Sequence, residues 1–210
     1  MSEQHKTLIA VPALDICATP FAYSLVTMLR SGPSKVTFIV GMAVHEARNK
    51  LAQEAIDDGC DRILWIDSDM TFAPDMMIAL DKDMDDGGYD LVCGIYFKRR
   101  LPVVPVIYSA FDMEAAKAAT ICDYPQNTIF PIAGCGFGAV MTSVDIVKRV
   151  QEKFGAPFTP IHGFGEDLSF CARAVELGAK MACDSRINVG HAGQIVYDER
   201  MYQRPEKEDE

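Results

Sequence analysis

The sequence predicts an α/β fold built on a doubly wound, mostly parallel central sheet. Its first half alternates short apolar stretches with helix-like stretches, which is the pattern of a parallel sheet. Its second half is less regular, and prolines at positions 102, 105, 125 and 131 favour edge strands or loops, so we expect a small antiparallel addition there. With 210 residues, 49% of them hydrophobic, the chain can bury one full core.

Hydrophobic periodicity places the elements of the first half. Short apolar runs between turn residues predict strands at Thr7–Pro12, Lys35–Val40 and Arg62–Ile66. Apolar residues that recur every three or four positions predict helices at Pro20–Arg30, at His45–Asp58 and from Pro74 to about Lys82. The acidic, glycine-ended run Asp85–Gly88 predicts a loop.

In the second half, strand-like runs lie at Leu91–Phe97, Val103–Ser109 and Gly138–Thr142. Two helices are predicted at Val144–Phe154 and Glu166–Leu177, because each ends at a glycine in the C-cap position. No internal repeat or linker interrupts the pattern, so we expect one domain over residues 1–197. The acidic residues at the end predict a flexible tail over 198–210.

The composition narrows the class of function. A formal net charge of −10 argues against nucleic acid as a partner, because backbone phosphates bind basic surfaces. The apolar runs are too short to cross a bilayer and the first residues do not resemble a signal peptide, so we expect a soluble, cytoplasmic protein with no transmembrane segment. The seven cysteines are scattered without a CxxC pair, which favours reduced thiols in the core.

The most informative stretch is Arg62–Thr71, where the pattern of a buried strand ends in two aspartates separated by one residue. Open α/β sheets bind their ligands beyond the carboxyl ends of parallel strands. Asp67 and Asp69 could share one hard divalent cation through oxygen ligands, which suggests metal-assisted chemistry on a phosphate or diphosphate. Exposed turn aspartates would give the same short pattern, but the preceding apolar strand favours a site.

Three further features carry candidate chemistry, and each has an ordinary alternative. Arg48, on the helix before the aspartates, could bind an anionic substrate or could be a solvated residue paired with an acid of its own helix. Glu166 and Asp167 open a helix, where acids meet the helix dipole favourably, yet one of them could accept a proton from a hydroxyl nucleophile. His191, between two glycines, is either an ordinary histidine or a metal ligand.

Two other features are weaker. The glycine group Gly134–Gly138 nominally fits a dinucleotide-binding fingerprint, but that fingerprint leads into a helix and this group leads into a strand-like run. A Rossmann dehydrogenase is therefore rejected. The only basic run, Lys98–Arg100, could assist an anionic substrate but is more typical of an exposed loop.

Taken together and in this order, the motifs resemble those of the GT-A glycosyltransferases, most of all the family 2-like enzymes that use nucleotide sugars. An ARN helix, a DxD motif and a GED motif roughly a hundred residues later are far more specific in combination than alone. The matched segments cover most of the chain: Val11–Ala13, Ala47–Lys50, Ile66–Met70, Gly136–Gly138, Gly165–Phe170 and His191.

The resemblance implies a role for each matched residue. A nucleoside-diphosphate sugar, the donor, would be bound by Val11, Pro12, Ala13, Arg48, Asp67, Ser68 and Asp69. Mn²⁺ or Mg²⁺ would be held by Asp67, Asp69 and His191. Asp167 would be the general base that deprotonates the hydroxyl of a glycan or other acceptor, and Glu166 and Gly136 would bind that acceptor. The resemblance also implies an inverting displacement.

Two other hypotheses stay open on the sequence. The run Ile66–Thr71 also fits the signature of haloacid dehalogenase-like phosphatases, in which Asp67 would be the nucleophile, although that motif usually lies on the first strand of a chain. The fold could instead serve as a non-catalytic nucleotide-sugar or glycan binding module. Acceptor recognition is poorly specified in so short a chain, and assembly into a homo-oligomer is one way to complete the site.

Overall fold

A computed structural model describes residues 4–161, 163–193 and 196–203, with only the backbone described at 196 and 197. Residues 204–210 of the predicted tail lie outside the described residues. The helices are α1 (Thr19–Thr27), α2 (Val44–Asp57), α3 (Met76–Gly87), α4 (Val144–Phe154), α5 (Glu166–Glu176) and a short 3₁₀ helix (Glu199–Met201). The strands are β1 (Thr7–Ala13), β2 (Ser34–Val40), β3 (Arg62–Ile66), β4 (Met70–Thr71), β5 (Leu91–Ile95), β6 (Ile107–Asp112), β7 (Lys117–Thr120), β8 (Ile129–Pro131), β9 (Gly134–Cys135), β10 (Ala139–Ser143), β11 (Met181–Asn188), β12 (Gly190–Ala192) and β13 (Val196–Tyr197).

A seven-stranded sheet in the order β2-β1-β3-β10-β5-β11-β8 forms the centre of the described structure. Five of its strands run in one direction, whereas β10 runs opposite between β3 and β5, and β8 runs opposite at one edge. Two small antiparallel sheets, β13-β12-β4 and β7-β6-β9, complete the described part. The predicted α/β class, a doubly wound and mostly parallel sheet with an antiparallel addition, is confirmed.

The inner strands of the central sheet are covered on both faces because they are apolar on both sides. In β3, Ile63 and Trp65 join the core on one face, while Leu64 and Ile66 join the core on the other. Helices α2, α4 and α5 pack on the first face, and α1 and α3 pack on the second. Strand β3 is fully buried up to Ile66, and Asp67 is the first residue beyond its carboxyl end.

Helix α3 differs from its prediction at both ends. Pro74 precedes the helix, which begins at Met76, and most of the run predicted as a loop, Asp85–Gly88, is helical. The loop prediction was wrong because the last helical turn has partners: Met84 is buried in the core and Asp85 forms an ion pair with Arg62. Gly88 then ends the helix in the left-handed conformation, with φ of 58°.

The strand predicted at Val103–Ser109 is displaced along the chain. Strand β6 begins at Ile107 and pairs with β7 and β9, whereas Pro105 forms only an isolated bridge with Phe97. Proline has no N–H to donate, so the ladder forms after it rather than through it. The other predicted elements are present, although several ends differ; α1, for example, ends at Thr27 rather than Arg30.

No helix in the part of the chain described is long and apolar enough to cross a membrane. All seven cysteines are free thiols, and five of them are buried. This is the arrangement expected for reduced thiols that pack as small apolar groups.

Candidate active site

The first cluster of the candidate site joins the DxD motif to His191 through two very short strands. Strand β4 follows the motif directly and pairs with β12, so that Met70 lies opposite His191. The backbone N–H of Ala192 also donates to the carbonyl oxygen of Asp69, at 2.7 Å. As a result, His191 Nε2 lies 3.4 Å from Asp69 Oδ2, although the two residues are far apart in sequence.

The hydrogen bond of the other ring nitrogen of His191 determines which atoms the Asp69–His191 pair presents to a ligand. Nδ1 lies 3.1 Å from the carbonyl oxygen of Phe97, and a carbonyl can only accept, so Nδ1 carries the hydrogen. In a neutral ring, Nε2 then presents its lone pair to the carboxylate of Asp69. Two acceptors this close are stabilised by a cation beside them, and a metal ion is one that a carboxylate and an imidazole can bind together. The donor set of one carboxylate and one imidazole suits such an ion.

Arg99 is part of the same cluster, which the sequence analysis missed. Its Nη1 lies 2.8 Å from Asp69 Oδ2 and 3.3 Å from the carbonyl oxygen of Ala192. Arg99 lies in an exposed loop, as is typical of a basic run, and its side chain is 47% exposed, but it also reaches the candidate site. Burial alone would raise the pKa of Asp69, but the hydrogen bond with His191 and the charges of His191 and Arg99 outweigh it and lower that pKa.

The second cluster is centred on Arg48, which is 1% exposed. Its Nη2 donates to Asp67 Oδ1 at 2.7 Å, and its Nε donates to Glu166 Oε1 at 3.2 Å. The guanidinium also lies over the rings of Trp65 and Phe137, 5.9 and 5.4 Å from their centroids. The alternative of a solvated arginine paired within its own helix is wrong, because Arg48 connects α2 with the DxD turn and with the start of α5.

Burial raises the pKa of Asp67, since it opposes ionisation more strongly than the charge of Arg48 favours it; the neighbouring carboxylates of Asp69 and Glu166 add to the increase. The two aspartates of the motif therefore have different environments. Asp67 forms an ion pair with the buried guanidinium of Arg48, whereas Asp69 faces His191 and the half-exposed Arg99.

Glu166 and Asp167 lie in the first turn of α5, as predicted. Glu166 is engaged by Arg48, and Asp167 Oδ1 accepts a hydrogen bond from the backbone N–H of Leu168 at 2.7 Å. Burial, followed by the charge of Glu166, raises the pKa of Asp167 to about 6. A carboxylate with that pKa is ionised at neutral pH and is still basic enough to accept a proton.

The glycine group packs against the buried side chain of Tyr96. A Cβ at Gly136 would lie 2.0 Å from Tyr96 Oη, and the N–H of Gly138 donates to that oxygen at 3.2 Å. The carbonyl of Gly138 in turn accepts from the N–H of Asp67 at 3.1 Å. These glycines allow the tyrosine to lie directly behind the DxD turn, and Gly136 itself is buried, so its contact with an acceptor stays a prediction.

A cavity of about 470 Å³ opens at the first cluster. One end is polar and is lined by the DxD residues 67–69, Arg99 and His191; the other end is apolar and is lined by Pro12, Ala13, Leu14, Met42, Ala43 and Val44. Val11, predicted as a donor contact, is fully buried in the core behind this wall. A larger cavity of about 620 Å³ lies between α1, β4 and residues 198–200, but it has no carboxylate–imidazole pair in its lining.

The part of the chain that the structure describes contains no three His, Cys, Asp or Glu side chains placed to hold a metal ion together. Asp69 and His191 converge, while the Oδ1 of Asp67 is directed to Arg48. A metal at this cavity would therefore take two ligands from the protein in its present geometry and the remainder from a bound ligand or water.

Comparisons with known proteins support the fold. No protein-family model and no curated protein matches the sequence. The crystal structure of A197 from STIV superposes with a TM-score of 0.66 at 17% identity, over 97% of this chain and 100% of that one. GalNAc-T7, solved with UDP, GalNAc and Mn²⁺, superposes with a TM-score of 0.65 at 11% identity, over 97% of this chain.

The chain has a GT-A-like fold. It spans 46% of the length of the GalNAc-T7 chain. At these identities the likeness concerns the fold alone, so the activity must be argued from the site.

Replacing Arg48 with methionine is expected to lower the free energy of unfolding by about 3–5 kcal/mol, because it leaves two carboxylates without their buried counter-charge. The loss should be near the lower end of this range, since Asp67 and Glu166 keep some solvent contact. Urea denaturation of the variant measures it. The matched control is Arg99→Met, whose exposed ion pair should contribute about 1 kcal/mol or less. Equal losses in the two variants would contradict a structural role for Arg48.

Proposed function

We propose that this protein is a metal-dependent glycosyltransferase that moves a sugar from a nucleoside-diphosphate sugar to an acceptor hydroxyl. One observation carries the proposal: in a GT-A-like fold, Asp69, His191 and Arg99 converge at the polar end of a cavity whose other end is formed by the carboxyl end of β1. Ligands of open α/β sheets bind at this edge.

The two ends of the cavity match the two parts of such a donor. The apolar wall that includes Pro12 and Ala13 suits the nucleoside, and the polar end suits the diphosphate. Arg99 supplies a positive charge there, and Ser68 supplies a hydroxyl. Arg48 is buried away from the cavity lining, so we assign it to positioning Asp67 and Glu166 rather than to contacting the phosphates.

Asp69 and His191 would hold Mn²⁺ or Mg²⁺, and Asp67 would contact the ribose of the donor or a water molecule bound to the metal. When bound, the cation stabilises negative charge on the departing diphosphate, an effect of several kcal/mol. The hydrogen bond from His191 to Phe97 keeps the ring oriented with Nε2 toward the cavity side of Asp69. GalNAc-T7, which shares the fold, was solved with Mn²⁺ and UDP, and this is consistent with the assignment.

Asp167 is the proposed general base. It would accept the proton of the acceptor hydroxyl as that oxygen attacks the anomeric carbon, and an attack from the side opposite the diphosphate inverts the configuration. Glu166 is fixed by Arg48 and would orient the acceptor beside it. The pKa of Asp167, raised to about 6, is suited to accepting a proton at neutral pH.

The alternative of a phosphatase with Asp67 as nucleophile is less well supported. The Oδ1 of Asp67 accepts a hydrogen bond from the buried guanidinium of Arg48, so this oxygen is not free to attack a phosphorus atom. A non-catalytic binding module has no need for a carboxylate with a raised pKa beside the site. The transferase is therefore preferred over both.

A thermal-shift screen of UDP-, GDP-, CMP- and dTDP-sugars, each with and without Mn²⁺, tests the proposal first. One donor class should raise the melting temperature only when the metal is present. The selected donor is then incubated with the protein, and the release of nucleoside diphosphate is measured with and without added glycans. Metal-dependent binding without release under any of these conditions would favour the binding module, and hydrolysis of a general phosphatase substrate would favour the phosphatase.

A further inference from the structure

Exposed apolar side chains are concentrated on one edge of the molecule. Thirteen large hydrophobic side chains are exposed among the described residues, and nine of them lie between positions 14 and 44. Two of these nine, Leu14 and Val44, line the cavity of the candidate site, and Ile16 lies close to Leu14 in the chain. The other six form what we call the α1/β2 patch: Tyr23, Val26, Leu29, Val36, Phe38 and Val40.

Helix α1 contributes a surface without charge. Residues 16–29 contain no Asp, Glu, Lys, Arg or His, although 24% of the whole chain is charged. The outer face of a helix in contact with water normally carries charged or polar residues. Here Tyr23 and Val26 on that face are 73% and 84% exposed. The outer face of α1 therefore resembles a buried surface in its composition.

Strand β2 contributes an unprotected sheet edge. Among the described residues it pairs with β1 alone, so one row of its backbone N–H and C=O groups has no partner strand there. Proteins usually blunt such edges with short strands, prolines or charges. The opposite edge strand, β8, follows this rule because it has three residues and ends at Pro131. Strand β2 has seven residues and no proline.

Three exposed apolar side chains of β2, those of Val36, Phe38 and Val40, lie on the same face of the sheet as α1, whereas Ile39 packs on the other face. Phe38 contacts Phe21 of α1, with ring centroids 6.3 Å apart. The only charged residue of the strand, Lys35, is on the opposite face. There it forms ion pairs with Glu54 of α2 and with Asp58, which follows that helix. The face of β2 on the α1 side of the sheet therefore carries no charge. On this face Val36, Phe38 and Val40 are 37%, 43% and 54% exposed.

We infer that the α1/β2 patch is the interface with a second copy of this chain. Two β2 edges can pair antiparallel about a twofold axis, since the same surface then meets itself and each strand satisfies the free backbone groups of the other. Each of the six residues is 37% to 84% exposed, so the pairing of two patches would bury apolar surface on both copies. Copies with a net charge of −10 repel one another, and this uncharged patch is where they can approach at least electrostatic cost.

A lipid surface is a poorer occupant, because membranes attract basic residues and the patch contains none. The twofold arrangement joins the two central sheets into one. It also places each candidate active site near the interface, since β2 continues into Met42 and Val44, which line the cavity. The inference rests on the surface alone and does not depend on the proposed activity.

Sedimentation velocity of the full chain over a wide range of concentrations tests the interface. We expect the wild type to have twice the mass of one chain, and Val26→Glu together with Val36→Glu to weaken association at least about 100-fold, because like charges would be buried face to face. The matched control is Val175→Glu, which places the same charge on the exposed face of α5 and should leave the dimer intact.

The single variant Val26→Glu distinguishes loss of the dimer from misfolding. It should fold normally, because Val26 is 84% exposed and glutamate favours a helix more than valine does. It should also weaken the dimer while its melting curve stays cooperative. Hydrogen exchange should show amides of β2 protected in the wild type and faster in the variants. A wild type that is monomeric at every concentration, with or without binding to vesicles, would overturn the inference, as would a dimer that the double variant leaves intact.

Discussion

Replacing Asp167 with asparagine should lower the turnover number of sugar transfer about 10²- to 10⁴-fold, the usual contribution of a general base. The amide has the size of the carboxylate but cannot accept the proton of the acceptor hydroxyl. Donor affinity should stay close to that of the wild type, because Asp167 does not line the donor cavity. Steady-state kinetics and calorimetric titration of the donor measure the two quantities separately.

The matched control is Asp145→Asn. Asp145 is the second residue of α4 just as Asp167 is the second residue of α5, but its side chain is 71% exposed and forms an ion pair with Arg149 of its own helix. This variant removes the same favourable contact with a helix dipole without removing a base. Full turnover in Asp167→Asn, or equal losses in the two variants, would reject Asp167 as the base.

The same assignment predicts the pH dependence of the wild type. Because a base must be ionised, activity should fall as the pH drops below about 6, the pKa of Asp167. Glu166 and Asp67 face it with negative charges that raise this pKa, Arg48 faces it with a positive charge that lowers it, and Tyr96 and Tyr108 lie near it as neutral groups. An acid limb that is unchanged in Asp167→Asn would assign it to another group.

The second large effect is expected for Asp69→Asn, which should abolish most of the metal-dependent part of nucleotide binding. Loss of a residue that merely orients a ligand costs 10- to 100-fold in metal affinity, so loss of the ligand itself should cost more than about 100-fold. Titration of the best nucleoside diphosphate with and without Mn²⁺ gives the difference directly. Chelation of the metal with EDTA should stop transfer by the wild type.

The control for this variant is Asp75→Asn, an exposed aspartate at the start of α3 whose side chain makes no capping bond. Metal-dependent affinity should be unchanged there. His191→Gln provides the complementary result, because it removes the imidazole that faces Asp69 and should weaken the same metal-dependent binding. Asp69→Asn with wild-type metal dependence would remove Asp69 from the site.

The sequence was sufficient to place the DxD motif because a strand buried on both faces leaves a long apolar run. Two side chains of the site depend on features that leave no such pattern. His191 reaches Asp69 through the pairing of β4 with β12, which involves only a few residues. Arg99 reaches the same carboxylate across a loop, and a basic run in a loop is ordinarily solvated.

The burial of Arg48 did leave a signal in the sequence. Ala52, one turn further along α2, is in the apolar stripe that faces the core, and residues four apart lie on the same side of a helix. A charged residue in that stripe must have a buried partner. What the pattern could not supply was the distance between α5 and α2, which is set by the order of strands in the sheet.

The ion pairs of Arg48 also affect the net charge of the candidate site. The two clusters bring together four carboxylates, at positions 67, 69, 166 and 167, and two guanidinium groups, at 48 and 99. Since Arg48 is already neutralised by its two acids, none of its charge is left for an incoming polyanion. The four carboxylates still outnumber the two guanidinium groups, so a phosphorylated compound should bind more tightly when it brings a divalent cation, and its binding should weaken when only monovalent salts are offered.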